Sequence, residues 1–435
     1  MELHALSLPT LFTFLLFTFM AVKLWKRSKT NHSNLNLTPG PWKLPIIGNV
    51  LQFRHGPLMH IELGEVYIIV DSSPELAEEV MKTYDLIFAS RPRVTTANII
   101  TYDSTDIAFA PYGNYWRQQR KICMLELLEE ELSTLIRWIG SKEGSTINLT
   151  EKLFSTIYGI TSRAAFGMKF NDQEKFISVM KETSELLTAG LNIADSFPSA
   201  KLLHLVTGVR TKIERLHEES DRIMENTING HKEINATRKA DDDARVEDLI
   251  AFSLTNNNIK AVILDMSARS DTTSITLDWA KMMKNQIIKD TLRLHPAIPL
   301  LIPRECGERC RLNGYEIPVK TKVIVNAWAI GRDLKRWTEA EKFQPERFLD
   351  SSIDYNETNF EYIPFGAGRR ICPGITFGMV NIKLPLALFL YHFDWKLPTR
   401  IENEDLDMNE AFGTGVRRKN DLQLIPIIYH PLPFD

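Results

Sequence analysis

The chain has 435 residues, of which 44% are hydrophobic and 25% are charged, so it is long and apolar enough to bury a large core. Its formal net charge of -3 argues against a nucleic-acid partner. Four cysteines are too few for a disulfide framework and are typical of a protein in a reducing compartment.

The N-terminal segment is typical of a membrane anchor. Residues 3–22 contain no acidic or basic side chain other than one histidine and are rich in Leu and Phe. As a helix they would rise ~30 Å, enough to cross the hydrocarbon core. Because the basic side chains lie in the linker at 23–38, the positive-inside rule keeps the rest of the chain cytosolic. The alternative, a cleaved signal peptide, lacks a basic leader and a small-residue cleavage site.

A stiff hinge follows the basic linker. Residues 39–45 include three prolines, each of which fixes φ and removes a backbone donor, so this stretch is predicted to be extended. No linker rich in Gly, Ser or Pro interrupts the chain beyond residue 50. Residues 39–435 are therefore expected to form one domain.

The sequence predicts a mainly helical fold with a small β region. Most of the chain follows helical spacing, as Val209, Ile213, Leu216 and Ile223 do in a predicted amphipathic surface helix. Runs typical of strands are few, and they lie at 66–70, 314–318, 321–325 and 422–425.

Three pairs or groups of polar residues have spacings that place them together. Trp116 and Arg120 are four apart, on one helical face. Asp271 and Thr272 put an acid beside an alcohol on a predicted helix, which could carry protons to a buried site. Asp290 and Arg293 are three apart and can form an ion pair, which Arg347 of a Pro-Glu-Arg-Phe box can join. The alternatives are an exposed arginine at position 120 and an ordinary polar stretch of helix at Asp271 and Thr272.

The glycine-rich loop at 364–374 carries one thiol, Cys372, just before an apolar, helix-like segment. Glycines let the backbone turn and approach a flat ligand closely. Backbone amides and the helix start direct partial positive charge at the sulfur, which favours a thiolate metal ligand. This is the layout of a haem-thiolate site, and the alternative is a glycine turn around a structural cysteine. Cys306 and Cys310 have no second Cys or His pair, so no zinc site is predicted there.

The loop resembles the signature Phe-x-x-Gly-x-Arg-x-Cys-x-Gly of the cytochrome P-450 superfamily. The matching residues are Phe365, Gly368, Arg370, Cys372 and Gly374. Along nearly its whole length the chain is most similar to the plant microsomal terpenoid hydroxylases of that superfamily. The resemblance implies the cytochrome P-450 fold and a monooxygenase of the endoplasmic reticulum membrane that contains haem b. It further implies electrons from NADPH through NADPH-cytochrome P-450 reductase, and a small apolar substrate of the sesquiterpenoid kind.

The resemblance also implies roles for individual residues. Cys372 would be the axial ligand of the haem iron, and Thr272 with Asp271 would relay protons. The haem propionates would be held by Trp116, Arg120, Arg304 and Arg370, and the substrate pocket lined by Ile298, Leu300 and Leu301. The family's Glu-x-x-Arg triad would consist of Asp290, Arg293 and Arg347, with an acid one methylene shorter than usual.

The sequence departs from the family pattern in two places. Arg269 stands where the family has the glycine that opens an oxygen-binding groove, and the helix looks one residue short just before it. Trp279 and Asp290 are only 11 positions apart, where the family has a further pair of helices. The alternative hypothesis is therefore a catalytically impaired or non-functional haem-binding relic. A membrane receptor without a cofactor has only the anchor in its favour.

Overall fold

The computed structural model describes a large helical domain in several continuous stretches. The predicted anchor at 3–22, the basic linker at 23–38 and the hinge at 39–45 lie outside the described residues. The structure describes residues 57–63, 65–122, 129–166, 172–187, 195, 208–238, 256–279, 285–355, 359–398, 406–411 and 413–432.

Helices make up most of the described chain, which confirms the predicted fold class. The α-helices are α1 Pro74–Glu78, α2 Thr95–Ile100, α3 Asn114–Ile122, α4 Glu129–Gly140, α5 Leu149–Phe166, α6 Gln173–Leu186, α7 Val209–Arg238, α8 Asn256–Trp279, α9 Asn285–Leu294, α10 Ala327–Ile330 and α11 Ile375–His392. A π-helical turn and two 3-10 turns occupy Glu79–Thr83, Pro345–Phe348 and Gly368–Arg370.

The β region consists of three small sheets, and each predicted strand run overlaps one of their strands. The strands are β1 Leu58–Leu63, β2 Val66–Asp71, β3 Ile147–Asn148, β4 Arg304–Glu305, β5 Cys310–Leu312, β6 Tyr315–Ile317, β7 Lys322–Val325, β8 Phe393–Lys396 and β9 Gln423–Ile428. Their orders are β1-β2-β7-β4, β3-β9-β8 and β5-β6. β2 and β7 run parallel, with Ile69 opposite Val323. This pairing places the early strands β1 and β2 in one sheet with β4 and β7, which come from residues 304–325.

Helix α8 is the centre of the core, because it is buried along most of its length from Ile259 to Trp279. It packs against α5 on one side and α11 on another. By contrast, α7 buries one stripe that includes Ile213, Leu216 and Ile223, which confirms its predicted amphipathic character.

Helix α11 is apolar enough to be compared with a membrane span. Among the described residues, Ile375–His392 is the helix that meets the length and hydropathy of a span. It packs on α8 and contributes Ile382, Leu386 and Phe389 to a buried cluster, as an apolar core helix does.

The junction between α8 and α9 is short, as predicted from the sequence. α8 ends at Trp279 and α9 begins at Asn285, with residues 280–284 outside the described part. The indole of Trp279 stacks on His295 with ring centroids 3.9 Å apart, and its Nε1 donates to the carbonyl oxygen of Val416 at 3.2 Å. These contacts hold the end of α8 against the segment that follows α9.

Asp290, Arg293 and Arg347, the acid and two arginines singled out in the sequence, lie together in the protein interior. Arg293 Nε is 2.6 Å from Asp290 Oδ1, and both side chains are fully buried. Arg347 Nε is 3.2 Å from the same oxygen, and Asp290 Oδ2 accepts from the amide of Gln344 at 2.5 Å. The short side chain of Asp290 therefore reaches both arginines, and a backbone amide uses its second oxygen.

Arg293 also holds three segments of chain together. Its Nη1 donates to the carbonyl oxygens of Gly331 at 2.7 Å and Ala340 at 2.5 Å, and its Nη2 to that of Lys342 at 2.9 Å. Removing this guanidinium would leave the carboxylate of Asp290 with only Arg347 and the Gln344 amide as partners, and it would take a donor from the carbonyl oxygens of Gly331 and Ala340. Both losses are costly in a buried environment.

We expect Arg293→Ala to lower the free energy of unfolding by ~3–5 kcal/mol, since it breaks a buried ion pair on one side. The matched control is Lys342→Ala, which keeps the carbonyl that Arg293 uses and removes an exposed partner of Glu339. That control should cost no more than ~1 kcal/mol. Urea unfolding of both variants measures the difference, and equal losses would contradict the assigned role of the guanidinium.

Candidate active site

A large cavity lies between α8, the cysteine loop at 364–374 and the segment that leads into β4. It contains about 1260 Å³ of space not filled by atoms, part of it open to solvent. Its wall is mostly apolar and includes the thiol of Cys372. Five guanidinium groups also line it, those of Arg91, Arg120, Arg269, Arg304 and Arg370.

The cysteine loop needs its glycines for conformation and for space. Gly366 and Gly368 both have φ of +70°, in the left-handed region that favours glycine. A Cβ on Gly368 would also overlap the carbonyl oxygen of Met81. The loop closes on itself, because the amide of Cys372 donates to the carbonyl oxygen of Phe365 at 3.1 Å. The sulfur is thereby held at the cavity wall just before α11.

Burial dominates the electrostatics of the thiol. Burial raises the pKa of Cys372, and the amide of Gly374 together with the nearby Arg269 and Arg120 acts in the opposite direction. The Gly374 amide and the two arginines therefore supply the positive potential that was expected at the sulfur. The effect of burial on the pKa of the thiol is nevertheless larger than theirs.

Arg370 is buried beside the cavity and stacks on an aromatic ring. Its Nε donates to the carbonyl oxygen of Ala89 at 2.7 Å, and its guanidinium lies 4.6 Å from the ring centroid of Trp116. Burial, followed by the charge of Arg304, lowers the pKa of Arg370 to about 10. The indole Nε1 of Trp116 donates to the carbonyl oxygen of Ile107 at 3.0 Å, so that donor already has an acceptor.

Arg304 and Arg120 each donate a hydrogen bond to a backbone carbonyl of the cysteine loop. Arg304 Nη2 donates to the carbonyl oxygen of Ala367 at 2.8 Å, and its Nη1 is 3.4 Å from Asp85 Oδ1. Arg120 Nη1 donates to the carbonyl oxygen of Ile371 at 2.7 Å. Burial lowers the pKa of Arg304, with the Asp85 charge opposing it. These cations crowd one edge of the cavity, where an anionic group would relieve their desolvation.

Adjacent residues of α8 face different cavities. Thr272 lines the large cavity, where its Oγ1 donates to the backbone oxygens of Ala268 and Arg269 at 3.2 and 3.1 Å. Asp271 borders a second, smaller cavity, and its Oδ1 accepts from the hydroxyl of Tyr158 at 2.8 Å. Burial raises the pKa of Asp271 to about 6, with the hydrogen bond from Tyr158 opposing it. Consecutive helical residues point ~100° apart, which explains the separation.

Arg269 reaches from α8 to the cysteine loop. A Cβ built on Gly374 would lie 3.0 Å from Arg269 Cδ, so the side chain spans the cavity at that point. Asp265, one turn earlier on the same face, also lines the cavity and accepts from the amide of Ile107 at 2.5 Å. Burial raises the pKa of Asp265 to about 6, while the Arg269 charge opposes the shift.

The apolar residues predicted for the substrate pocket divide between two places. Ile298 and Leu301 line the large cavity. Leu300 packs instead against the buried cluster formed by β1, β2 and Ile324 of β7. Leu301 has φ of 49°, in the left-handed region, so the chain turns there and neighbouring side chains point in different directions.

Sequence reasoning did not single out three residues of the site. Arg91 is half-buried and donates to the carbonyl oxygen of Ile302 at 2.6 Å, and Asp85 accepts from the amide of Arg369 at 3.0 Å. Their partners lie 211 and 284 positions away in the chain, and no spacing in the sequence indicates contacts over such separations. Asp265 had a usable signal, because it precedes Arg269 by four positions and so shares its helical face.

The comparisons with known proteins agree with this geometry. A family model described as cytochrome P450 matches residues 39–285 and 281–422 of the chain. The chain belongs to the cytochrome P-450 family. Among its relatives, a Lotus japonicus protein named cytochrome P-450 71D11 is 47% identical, with 94% of this chain and 99% of the relative covered. Premnaspirodiene oxygenase of Hyoscyamus muticus is 44% identical, with 98% and 99% covered, and tabersonine 16-hydroxylase 1 of Catharanthus roseus is 43% identical, with 95% and 96% covered.

A solved structure supports the fold independently. A zebrafish cytochrome P-450 solved with abiraterone matches with a TM-score of 0.66 at 20% identity, covering 87% of this chain and 97% of that one. At that identity the likeness shows the fold, which confirms the predicted cytochrome P-450 architecture.

This cytochrome P-450 is shorter than its relatives inside the chain. The alignment with the Lotus japonicus protein runs over 485 residues, whereas this chain has 435, so at least 50 (485 − 435) positions of the relative have no counterpart here. The two blocks of the family match meet at residues 281–285, between α8 and α9. That is where the sequence analysis placed a missing pair of helices.

As a cytochrome P-450, the protein is a monooxygenase whose cofactor is haem b and whose electrons come from NADPH through a reductase. The residues around the cavity fit this group in most respects: a soft thiol, an apolar wall and a cluster of buried guanidiniums for two carboxylates. Arg269 is the exception, because it crosses the cavity between α8 and Gly374.

We expect Gly368→Ala to destabilise the cysteine loop, since its Cβ would overlap the Met81 carbonyl and its φ is +70°. The free energy of unfolding should fall by ~1–3 kcal/mol. Gly113→Ala is the matched control, because nothing lies within 4 Å of its added Cβ. Denaturant unfolding measures both, and an unchanged Gly368→Ala variant would show that the loop is not constrained at this glycine.

Proposed function

We propose that this protein is a membrane-anchored cytochrome P-450 that hydroxylates an apolar terpenoid, of the sesquiterpenoid kind. The observation that carries the proposal is the convergence of Cys372, a cluster of buried arginines and an apolar wall on one cavity. Two relatives are named as a premnaspirodiene oxygenase and a tabersonine hydroxylase, which supports hydroxylation of a plant secondary metabolite.

In this proposal the Cys372 thiolate would bind the haem iron, and Arg120, Arg304 and Arg370 would bind the propionates, with Arg370 stacked on Trp116. Bound haem supplies dioxygen activation, and a thiolate ligand favours cleavage of the O–O bond. The buried arginines exchange backbone carbonyl acceptors for carboxylates, which suits cations already withdrawn from water. Phe365, Gly368 and Gly374 would shape the loop that faces the macrocycle.

Protons in this proposal reach the cavity along α8. The pKa of Asp271 is about 6, so this carboxyl is mostly ionised at neutral pH and becomes protonated in mildly acidic solution. It would take up and release protons beside Tyr158, at the smaller cavity. Thr272 presents its hydroxyl to the large cavity and would donate at Oγ1. A side-chain rotation of Asp271 is needed to join the two, since the residues face ~100° apart.

The apolar wall would bind the substrate by excluding water. Ile298, Leu301 and Ile302 present hydrocarbon surface to the cavity, and such surface favours hydrocarbons without dictating one orientation. The triad of Asp290, Arg293 and Arg347 would support the cysteine loop from below as a structural element.

We further propose NADPH-cytochrome P-450 reductase as the electron donor and the endoplasmic reticulum membrane as the location. The apolar residues 3–22 and the basic residues at 23–38 support a single-pass anchor with the catalytic domain in the cytosol. Expression with a reductase in microsomes is therefore the appropriate form for activity measurements.

The carbon monoxide spectrum of the reduced full-length protein tests the haem site. We expect the Soret band of a thiolate-ligated haem in the wild type and its loss in Cys372→Ser, since an alcohol does not replace the thiolate. Cys310→Ser is the matched control and should keep the band, because Cys310 does not line the cavity. A stoichiometric haem complex without that band, or a band that survives Cys372→Ser, would refute the proposed ligand.

A catalytically impaired relic is the second candidate, and Arg269 is the observation that favours it. Its side chain crosses the cavity from α8 to Gly374, where the family's glycine leaves an open groove. Such a protein would bind haem through Cys372 and still fail to turn over, because a long cation occupies the space needed for oxygen.

Arg269→Gly distinguishes the two candidates. For an enzyme slowed by Arg269, we expect the variant to raise turnover with reductase by at least about tenfold, or ~1.4 kcal/mol of barrier. Arg269→Lys keeps a long cation at the same place and should not raise the rate. Turnover that is absent in all three proteins, with the thiolate spectrum intact, would favour the relic.

A further inference from the structure

Arg269 spans the gap between two walls of the large cavity. Helix α8 forms one wall, and the cysteine loop forms the other with Cys372 and Gly374. A Cβ built on Gly374 would lie 3.0 Å from Cδ, 3.2 Å from Nε and 3.5 Å from Cγ of Arg269. The side chain therefore lies against the loop two positions after the sulfur. A planar group bound to that sulfur has to lie between the same two walls, so it cannot share the gap with the extended side chain of Arg269.

The side chain of Arg269, rather than the helix, has to move if the gap is to open. The next two residues, Ser270 and Asp271, hydrogen-bond to Thr161 and Tyr158 of α5, with 2.5 and 2.8 Å between the oxygens. These contacts fix the rotation of α8 about its own axis. Arg269 therefore starts from the cavity side of α8, and a change of its side-chain rotamer is what clears the gap.

Asp265 offers the guanidinium a second position. It precedes Arg269 by four positions, and an acid four residues before an arginine is a favourable pair on a helix. Of the described residues that line the cavity, Asp265 is the one acid. Its carboxylate is held in place by the amides of Ile107 and Ala108, at 2.5 and 3.3 Å. A guanidinium that leaves Gly374 thus has a fixed acceptor one helical turn away, which a buried cation requires.

We propose that Arg269 controls the capture of haem: its side chain has to turn from Gly374 to Asp265 before the cofactor can bind at Cys372. This role rests on the proposed function, because it takes Cys372 as the ligand of the haem iron. When the binding-competent arrangement is populated for a fraction of the time, the apparent dissociation constant is the intrinsic one divided by that fraction. A retracted population of about one in ten weakens haem binding about tenfold. The effect falls on the association rate, since Arg269 has already moved once haem is bound.

Titration with ferric haem tests the proposal on the full-length protein, purified in detergent from cells grown without haem precursor. We expect Arg269→Ala to lower the apparent dissociation constant about tenfold, with the gain in the association rate measured by stopped flow. Arg269→Lys keeps a long cation and should bind as weakly as the wild type. Arg210→Ala is the matched control and should also bind as the wild type, because it removes an exposed arginine of α7 that pairs with Glu214. Equal affinities in the wild type and Arg269→Ala would overturn the proposal.

Variants of Asp265 test where the side chain goes. Asp265→Asn keeps an oxygen for the backbone amides and removes the charge that attracts the retracted guanidinium, so haem should bind more slowly than in the wild type. Adding Arg269→Ala to that variant should abolish the loss, because no long side chain is left to retract. A double variant that binds as slowly as Asp265→Asn, or an Asp265→Asn variant that binds as fast as the wild type, would contradict the retraction.

The carbon monoxide spectrum separates a failure of this role from a failure of the proposed function. Equal binding by the wild type and Arg269→Ala, with a thiolate Soret band in both, would keep Cys372 as the ligand and refute control by Arg269. No bound haem, or a band of a different ligand, in both proteins would refute both proposals.

Discussion

Buried positive charge around one thiol is the constraint on which the rest of this structure depends. A guanidinium withdrawn from water needs acceptors, and Arg304 and Arg370 obtain them from backbone carbonyls of the cysteine loop and of the segment near Ala89. Those two hydrogen bonds join parts of the chain that are 63 and 281 positions apart. They also leave a cavity edge with excess positive charge, which is complementary to the two carboxylates of haem.

Helix α8 decides what the cavity does with that arrangement. It is buried along most of its length, so the direction in which each side chain points, set by the helical period, determines what that side chain contacts. Thr272 faces the large cavity and Asp271 faces Tyr158. Arg269 lies on the cavity side and reaches the cysteine loop. The same helix thus carries both the proposed proton path and Arg269, the residue on which the proposed impairment rests.

The chain lacks internal segments that its relatives have, and contacts among the described residues nevertheless join the elements on either side of residues 281–285. The two blocks of the family match meet at residues 281–285, and the end of α8 packs on the segment that follows α9 through the stack of Trp279 on His295. Asp290, although shorter than the usual acid, reaches Arg293 and Arg347 because both arginines approach one of its oxygens. The buried ion pairs of Asp290 with Arg293 and Arg347 therefore keep their partners in the shortened chain.

The sequence by itself determined the family, the mainly helical class, four of the nine described strands (β2, β6, β7 and β9) and the loop that carries Cys372, because these depend on local periodicity and on contiguous motifs. Tertiary structure decided which residues meet across the chain. The pairing of Asp85 with Arg304 joins residues too distant for any spacing rule. The turning of Leu300 away from the cavity depends on backbone conformation at the next residue. Such contacts follow from packing, which brings together residues whose separation in the chain carries no periodic signal.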